Sequence, residues 1–279
     1  MTDCKTAQTS AAVLDRYPAS WRGGIERVRQ IWRVALHPKF RPEVRLLGPF
    51  IPRDGGCLDI GANHGRFAFE LARAGSRVLA FEPLGFNLAI IRPASVLASR
   101  VRIEPIALGE ADGQALMYVP LRPDGRPRHG SAFVAADDAD ALGRAGGERV
   151  VRQPVPIRRL DDLDLAWVGK IGFIKMDVEG HEASVLRGAG RVLAEHRPSI
   201  LMEVSSGGSG LEALAELAGR GYLIRDLDLR DEGQWLREPG AVHEGVCGGD
   251  KSHDVLAWHE SRGEPPGFGA GFEVTRFGR

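Results

Sequence analysis

From residue 57 onward, short apolar runs alternate with stretches of helical periodicity, and this alternation restricts the fold more than any single motif does. Runs at 57–60, 77–81 and 101–107 read as strands, while the segments between them, 65–73 and 85–99, repeat apolar residues at helical spacing. Strands that are apolar on both faces must be covered on both faces, so the βαβαβ order predicts a parallel sheet with right-handed crossovers. The pattern returns as strands at 172–177, 199–204, 222–227 and 253–258, with helices at 182–195 and 211–220. The expected class is α/β, with a mostly parallel, doubly wound sheet.

Elsewhere the signals change character. Residues 1–20 alternate small and polar types and read as loose chain. Ile25, Val28, Ile31 and Trp32 share one helical face, which predicts a packing helix, and a second short helix is expected over 42–50. The stretch 109–164 reads as hairpins and mobile loops, from Pro123-Asp124-Gly125-Arg126-Pro127 and the small, acidic run 135–145. These shifts divide the chain into N-terminal packing helices at 1–52, an α/β domain at 53–260 with an insertion at 110–165, and a glycine-rich tail at 261–279.

Lys plus Arg and Asp plus Glu balance at 37 each, so no global field draws the chain to nucleic acid or to an anionic membrane, and no nucleic-acid partner is expected. Cys4, Cys57 and Cys247 are far apart and lack metal or redox spacing, which suits a reduced, cytoplasmic protein. No apolar run approaches the ~20 residues of a bilayer span, and the polar start lacks the apolar stretch of a signal peptide. Nothing in the sequence signals an oligomeric state.

Leu58-Asp59-Ile60-Gly61-Ala62-Asn63-His64-Gly65 begins as a buried strand and ends where a helix opens, so its glycines let backbone approach a ligand at the sheet's carboxyl edge. A dinucleotide turn would need glycine where Asn63 and Arg66 stand, which argues against a pyrophosphate ligand. About 20 residues on, Phe81-Glu82-Pro83 ends a second strand with a carboxylate suited to accept hydrogen bonds from ribose hydroxyls. Asp59 and Glu82 are expected to bracket a nucleoside-type ligand, with Gly61, Asn63, Gly65, Pro83 and Ala107 around it.

These blocks, together with Ala107-Leu108-Gly109 and Ile174-Lys175-Met176-Asp177-Val178-Glu179-Gly180-His181-Glu182 continuing to Leu186-Arg187-Gly188-Ala189, resemble the FkbM family of methyltransferases. The resemblance runs over 57–204 and is weak or absent before 52, in 120–147 and after 207. It implies a Rossmann-like class I methyltransferase fold, S-adenosylmethionine as methyl donor, and O-methylation of a hydroxyl on a sugar, glycolipid or secondary metabolite, so the expected partner is a small-molecule or glycan acceptor. An NAD-type oxidoreductase or epimerase on a similar sheet is the competing enzyme reading, against which Tyr17, Tyr118 and Tyr222 lack a Lys four residues later. A non-catalytic S-adenosylmethionine-binding domain is the third.

Asp177 ends a central strand, and Glu179 and His181 follow as the chain turns into a helix, on the edge where catalytic groups collect. Methyl transfer is an in-line displacement that needs an aligned acceptor and a group to take the hydroxyl proton, so Asp177, Glu179 and His181 are the catalytic candidates. The structural alternative is that Asp177 caps the helix, Glu179 and Glu182 favour its positive end, and His181 is solvated. Glu203 ends the adjacent strand, and Asp177 with Glu203 are candidate ligands for a divalent cation, Mg or Mn. Lys175 either pairs with Asp177 or polarises the acceptor. Arg122, Arg126, Arg128 and His129 make the insertion locally basic, as an acidic acceptor would require.

Overall fold

The structure is a computed structural model that describes residues 8–9, 21–36, 47–128, 130–135, 137–146, 148–205, 208–227, 235–240 and 252–267. In chain order its elements are β1 (Gln8–Thr9), α1 (Trp21–Leu36), β2 (Gly56–Ile60), α2 (Arg66–Arg73), β3 (Arg77–Phe81), α3 (Gly85–Ser95) and β4 (Val101–Glu104). The insertion follows as β5 (Ala107–Leu108), β6 (Gly113–Pro120), β7 (Phe133–Val134), α4 (Asp138–Arg144) and β8 (Val150–Arg158). The remainder is β9 (Ile171–Met176), α5 (Glu182–Arg187), α6 (Gly190–His196), β10 (Ser199–Val204), α7 (Gly208–Gly219), β11 (Tyr222–Asp226) and β12 (His253–His259).

Among the described residues seven strands form the main sheet, in the order β11-β12-β10-β9-β2-β3-β4. β12 runs antiparallel to both neighbours, and the other pairings are parallel. The side-chain period of two sorts each strand between two cores. Leu58, Ile60, Ile174, Met176, Ile200 and Met202 face one layer with Val185, Leu186 and Leu214 of α5 and α7. Cys57, Val78, Ala80, Phe173 and Leu201 face the other, where Phe67, Leu71 and Ile91 of α2 and α3 pack. This is the doubly wound sheet expected from the alternation. The chain order reverses between β2 and β9, which opens a crevice at their carboxyl ends.

Four expectations need correction. The predicted strand 101–107 is split: Pro105, with no N–H to donate, ends β4, and the chain leaves the main sheet so that Ala107 and Leu108 pair with Ile157 and Arg158 of β8. The hairpins expected of the insertion are present, with β6 antiparallel to β7 and β8, but they belong to a second sheet in the order β1-β8-β6-β7, with β5 also on β8, in place of the expected mobile loops. Its β6 and β8 pair over their full facing lengths, from Gly113↔Ile157 to Pro120↔Val150. On the far side of β8, among the described residues, β1 meets only Val151 and Arg152 and β5 only Ile157 and Arg158, so Pro154 and Pro156 fall where no described ladder bond is required of them.

Within the acidic run, Asp137 caps α4 by accepting from the N–H groups of Ala139 and Asp140, both at 2.9 Å. The predicted helix 182–195 is two helices, α5 and α6, broken at Gly188–Ala189 for a reason that belongs to the site. Finally, the buried face of α1 is not the predicted one. Val34 is buried with Ile31 and Ala35 packed beside it, while Ile25, Val28 and Trp32 are exposed. Arg73 donates to the carbonyls of Val34 and Ala35 and so pins the helix at its carboxyl end. Of the helix expected over 42–50, only a 3-10 turn at Gly48–Phe50 lies within the described residues. No helix among the described residues is long and apolar enough to cross a membrane.

Candidate active site

The crevice at the carboxyl ends of β2, β3 and β9 holds a cleft whose empty space, solvent at its mouth included, is about 660 Å³. Gly61, Asn63, Glu82, Pro83, Asn87, Asp177, Glu179 and His181 line it from the main domain, and Ala107, Met117, Gly130, Ala132 and Val134 close it from the insertion. Of the predicted site residues, Asp59 and Gly65 are not on the wall. Asp59 is fully buried beneath the loop, so Asp59 and Glu82 do not bracket the cavity between them.

Both loops at the cavity floor depend on glycine. Gly61 has φ 76°, and a Cβ there would lie 1.9 Å from the Asp177 carbonyl oxygen. Asp177 in turn donates its N–H to the Ile60 oxygen at 3.0 Å, so the ends of β2 and β9 touch backbone to backbone. Gly65, at φ 81°, opens α2 where a Cβ would meet Ile91 Cδ1 at 2.5 Å. Below, Phe67 stacks on Phe173 with 6.3 Å between ring centroids.

Glu82 joins two loops. Its Oε2 accepts from Asn63 N at 2.7 Å and its Oε1 from Leu84 N at 2.8 Å. The first bond holds Asn63 at φ 52°, a conformation uncommon outside glycine. Burial pushes the Glu82 carboxyl up to about 7, although the bonds from Leu84, Asn87 and Asn63 pull it the other way. A carboxylate has roughly four acceptor positions, so the two backbone donors and the Asn87 side chain leave about one of them open. Asn87 lies beside it, buried, with its Oδ1 unbonded.

The segment after β9 is equally well anchored. Lys175 Nζ donates to the Gly61 oxygen at 3.1 Å and to Asp177 Oδ2 at 3.2 Å, and lies 3.7 Å from Asp59 Oδ1. The paired reading of Lys175 is therefore the one observed. Glu182 does not merely sit near a helix end: its Oε1 accepts from Gly180 N at 3.0 Å and Val178 N at 3.4 Å, which bends the 178–180 loop back over the helix start. Glu179 adopts φ 52° in that loop. Burial, then the charges of Asp177, Glu203 and Glu182, push its carboxyl up to about 8. Burial moves His181 the other way, lowering its pKa, and its Nε2 has no hydrogen-bond partner.

Two glycines explain the break between α5 and α6. A Cβ on Gly188 would stand 1.9 Å from the Gly109 oxygen, and one on Gly109 would meet Ile157 Cδ1 at 2.6 Å and His181 Nε2 at 3.1 Å. Glu110 then accepts from Arg187 Nε at 2.5 Å and donates its backbone N–H to the Ser184 hydroxyl oxygen at 3.1 Å. The chain leaving β5 is thereby clamped against α5, which seats Ala107 and Leu108 on the cavity wall.

Two further expectations are corrected. Glu203 does not line the cavity; its Oε1 accepts from the Ser252 hydroxyl, on the side of β12, which lies antiparallel against β10. Among the described residues no group of three or more His, Cys, Asp or Glu is arranged to hold a metal ion, so the Asp177 and Glu203 cation site is not supported. The basic insertion does not aim its charge at the cavity: Arg126 pairs with Asp124 at 3.2 Å and Arg128 with Glu148 at 2.6 Å, and none of the three arginines is on the wall. His129 lies outside the described residues.

Glu182, Asn87 and Arg144 were not singled out for their roles by sequence reasoning. Glu182 was legible in principle, since a Glu opening a helix commonly folds back onto free N–H groups. Asn87 and Arg144 carry no local signature.

A seven-stranded sheet with β12 reversed, and a crevice where the chain order turns, define the class I methyltransferase fold. The Methyltransferase FkbM domain matches residues 59–224, and the chain belongs to that family. Among solved structures it is similar to methyltransferase FkbM from Methylobacillus flagellatus KT, at 18% identity and TM-score 0.45, covering 88% of this chain and 57% of that one. It is also similar to precorrin-6y C5,15-methyltransferase from Geobacter metallireducens GS-15, at 14% identity and TM-score 0.39, covering 92% and 95% of the two chains. The O-methyltransferase from Bacillus cereus in complex with SAH matches at 13% identity and TM-score 0.41, covering 90% and 91%. The chain thus spans little more than half the length of the first of these. No curated protein matches it.

Proposed function

We propose that the protein transfers the methyl group of S-adenosylmethionine to an acceptor hydroxyl, on a sugar, glycolipid or secondary metabolite. The observation that carries this reading is Glu82, a buried carboxylate at the end of β3 with acceptor capacity left over on the cavity wall. The orphaned Oδ1 of Asn87, on the same wall, suits a ligand with further polar groups. S-adenosylmethionine bound there supplies a methyl group already activated on a sulfonium.

In this reading Glu82 takes the ribose hydroxyls, Pro83 and Ala107 flank the adenine, and the Gly61 and Asn63 backbone runs along the amino-acid end. Asp59 and Gly65 act from behind, Asp59 through Lys175 and Gly65 by letting α2 begin against Ile91. Asp177 is the proposed acceptor base: its carboxylate is partly open and ion-paired with Lys175. Its engagement with Lys175 favours direct proton removal over a cation-mediated route. His181, with a lowered pKa and an unbonded Nε2, is a neutral imidazole near neutral pH and a second candidate to hold that proton. Glu179, protonated at pH 7, is suited to donate to the acceptor oxygen and orient it.

Calorimetry with S-adenosylhomocysteine and with NAD tests the donor assignment, because Asn63 and Arg66 occupy positions where a dinucleotide turn needs glycine. Tighter binding of NAD sinks it. Transfer of labelled methyl from S-adenosylmethionine to fractionated metabolites and glycans of the source cell then tests the acceptor class.

A further inference from the structure

Helix α4 of the insertion is fastened at both ends. At its start, Asp138 accepts from the Tyr118 hydroxyl at 2.8 Å and pairs with Arg152 at 3.0 Å. At its finish, Arg144 Nη1 donates to the Val134 oxygen at 2.8 Å and Nη2 to the Glu179 oxygen at 2.7 Å. The guanidinium also covers the Phe133 ring, 4.3 Å from its centroid. Val134 and Glu179 both line the cavity, one from the insertion and one from the main domain. A single side chain therefore spans the two walls.

We propose that Arg144 is a positioning residue that sets the opening of the acceptor end of the cleft by tying the insertion to the 178–180 loop. The identity of what enters the cleft rests on the methyl-transfer reading; the clamp itself does not. Geometry favours arginine for the task, since its planar fork presents two donors at fixed separation, whereas lysine offers one compact charge. Gly180 makes room: its φ is 91°, and a Cβ there would stand 3.0 Å from Arg144 Nη2. Gly180 thus serves the clamp as well as the turn that Glu182 holds from the opposite side. The arginine acts on backbone carbonyls and not on the Glu179 carboxyl. Its positive charge also works against the upward shift of the Glu179 carboxyl.

The test is amide hydrogen exchange on the full chain, wild type against Arg144→Ala and Arg144→Lys, alongside calorimetry with S-adenosylhomocysteine. Arg144→Ala should speed exchange at least tenfold both in a peptide covering 132–135 and in one covering 178–182, while the melting temperature and S-adenosylhomocysteine affinity stay near wild type. Arg144→Lys should restore one of the two peptides and not both. Acceleration confined to the insertion would mean that Arg144 only finishes α4, and unchanged exchange in 178–182 overturns the proposal. If wild type fails to bind S-adenosylhomocysteine, the methyl-transfer reading falls while the exchange result still decides the clamp.

Discussion

Lys175 Nζ lies 3.7 Å from Asp59 Oδ1, beneath the loop that follows β2, and Lys175 is not among the residues that line the cavity. Burial raises the Asp59 pKa, and the Lys175 charge is the main force opposing that rise. Lys175→Met leaves a fully buried carboxylate without its cation, a change that typically costs ~3–5 kcal/mol. The pH dependence has a definite sign. A carboxyl whose pKa is raised on folding costs stability as pH rises above its unfolded value of about 3.9, and losing Lys175 raises it further. Denaturant titrations should therefore find the variant much weaker than wild type at pH 8 and closer to it near pH 5. A pH-independent deficit would mean that packing, and not charge, is what Lys175 supplies.

Glu82 gives a binding prediction with a sign of its own. Its carboxyl titrates at about 7 in the free protein. Ribose hydroxyls donate, so binding favours the ionised form and releases a proton when the carboxyl starts protonated. Affinity for S-adenosylhomocysteine should fall as pH drops below 7 and level off above it. Glu82→Ala should weaken binding by ~1–3 kcal/mol at pH 8, and Glu82→Gln should flatten the pH dependence. Calorimetry between pH 6 and 8 reads both. A wild-type affinity that is flat over this range argues against contact with the carboxylate.

Much of this arrangement was legible in the sequence because it is local. The strands 77–81 and 199–204 are read with the bounds observed, since an apolar run flanked by turn residues needs no partner to be recognised. Gly61, Asn63, Glu82, Asp177, Glu179 and His181 reach one cavity because they follow consecutive strand ends, where the doubly wound topology collects them. The illegible part is long-range. Nothing near residue 144 reveals that its guanidinium meets residue 179, and nothing near Asp59 reveals that it turns away from the cavity. The face of α1 was misread because the helix carries two apolar stripes, and contacts with distant elements decide between them.

Gly109 and Gly188 should respond differently to the same added methyl group. In Gly188→Ala the new Cβ meets the Gly109 carbonyl, backbone that cannot rotate away. Its stability loss should be ~3 kcal/mol or more, at the upper end for overpacking. In Gly109→Ala the first contact is the far end of Ile157, which can change rotamer, and the second is His181 Nε2. That variant should melt near wild type yet lose turnover through displacement of the imidazole. Thermal unfolding and methyl-transfer rates on the two proteins separate the cases, and equal melting temperatures would contradict the assignment of the rigid clash to Gly188.

The chemistry itself is tested by Asp177, Glu179 and His181 together. Asp177→Asn keeps an acceptor for Lys175 Nζ, which now bonds Oδ2 at 3.2 Å, so the loop should hold and S-adenosylhomocysteine should bind nearly as before. If Asp177 takes the acceptor proton, turnover should fall by ~10²–10⁴, the usual contribution of a positioned base. Glu179 differs, because its carboxyl titrates at about 8 and carries a proton at neutral pH. The wild-type rate should decline as pH rises through 8, when Glu179 loses that proton and places a second negative charge beside Asp177. Glu179→Gln keeps a donor without a titration, so it should retain much of the neutral-pH rate and remove the alkaline decline. Burial lowers the His181 pKa, so loss of its neutral form should appear only on the acid side, and His181→Gln should lower turnover and remove that limb. The opposite pattern, a rate that climbs through pH 8 and vanishes in Glu179→Gln, would make Glu179 the base. Full activity of folded Asp177→Asn on the true acceptor would return Asp177 to a purely structural place beside Lys175.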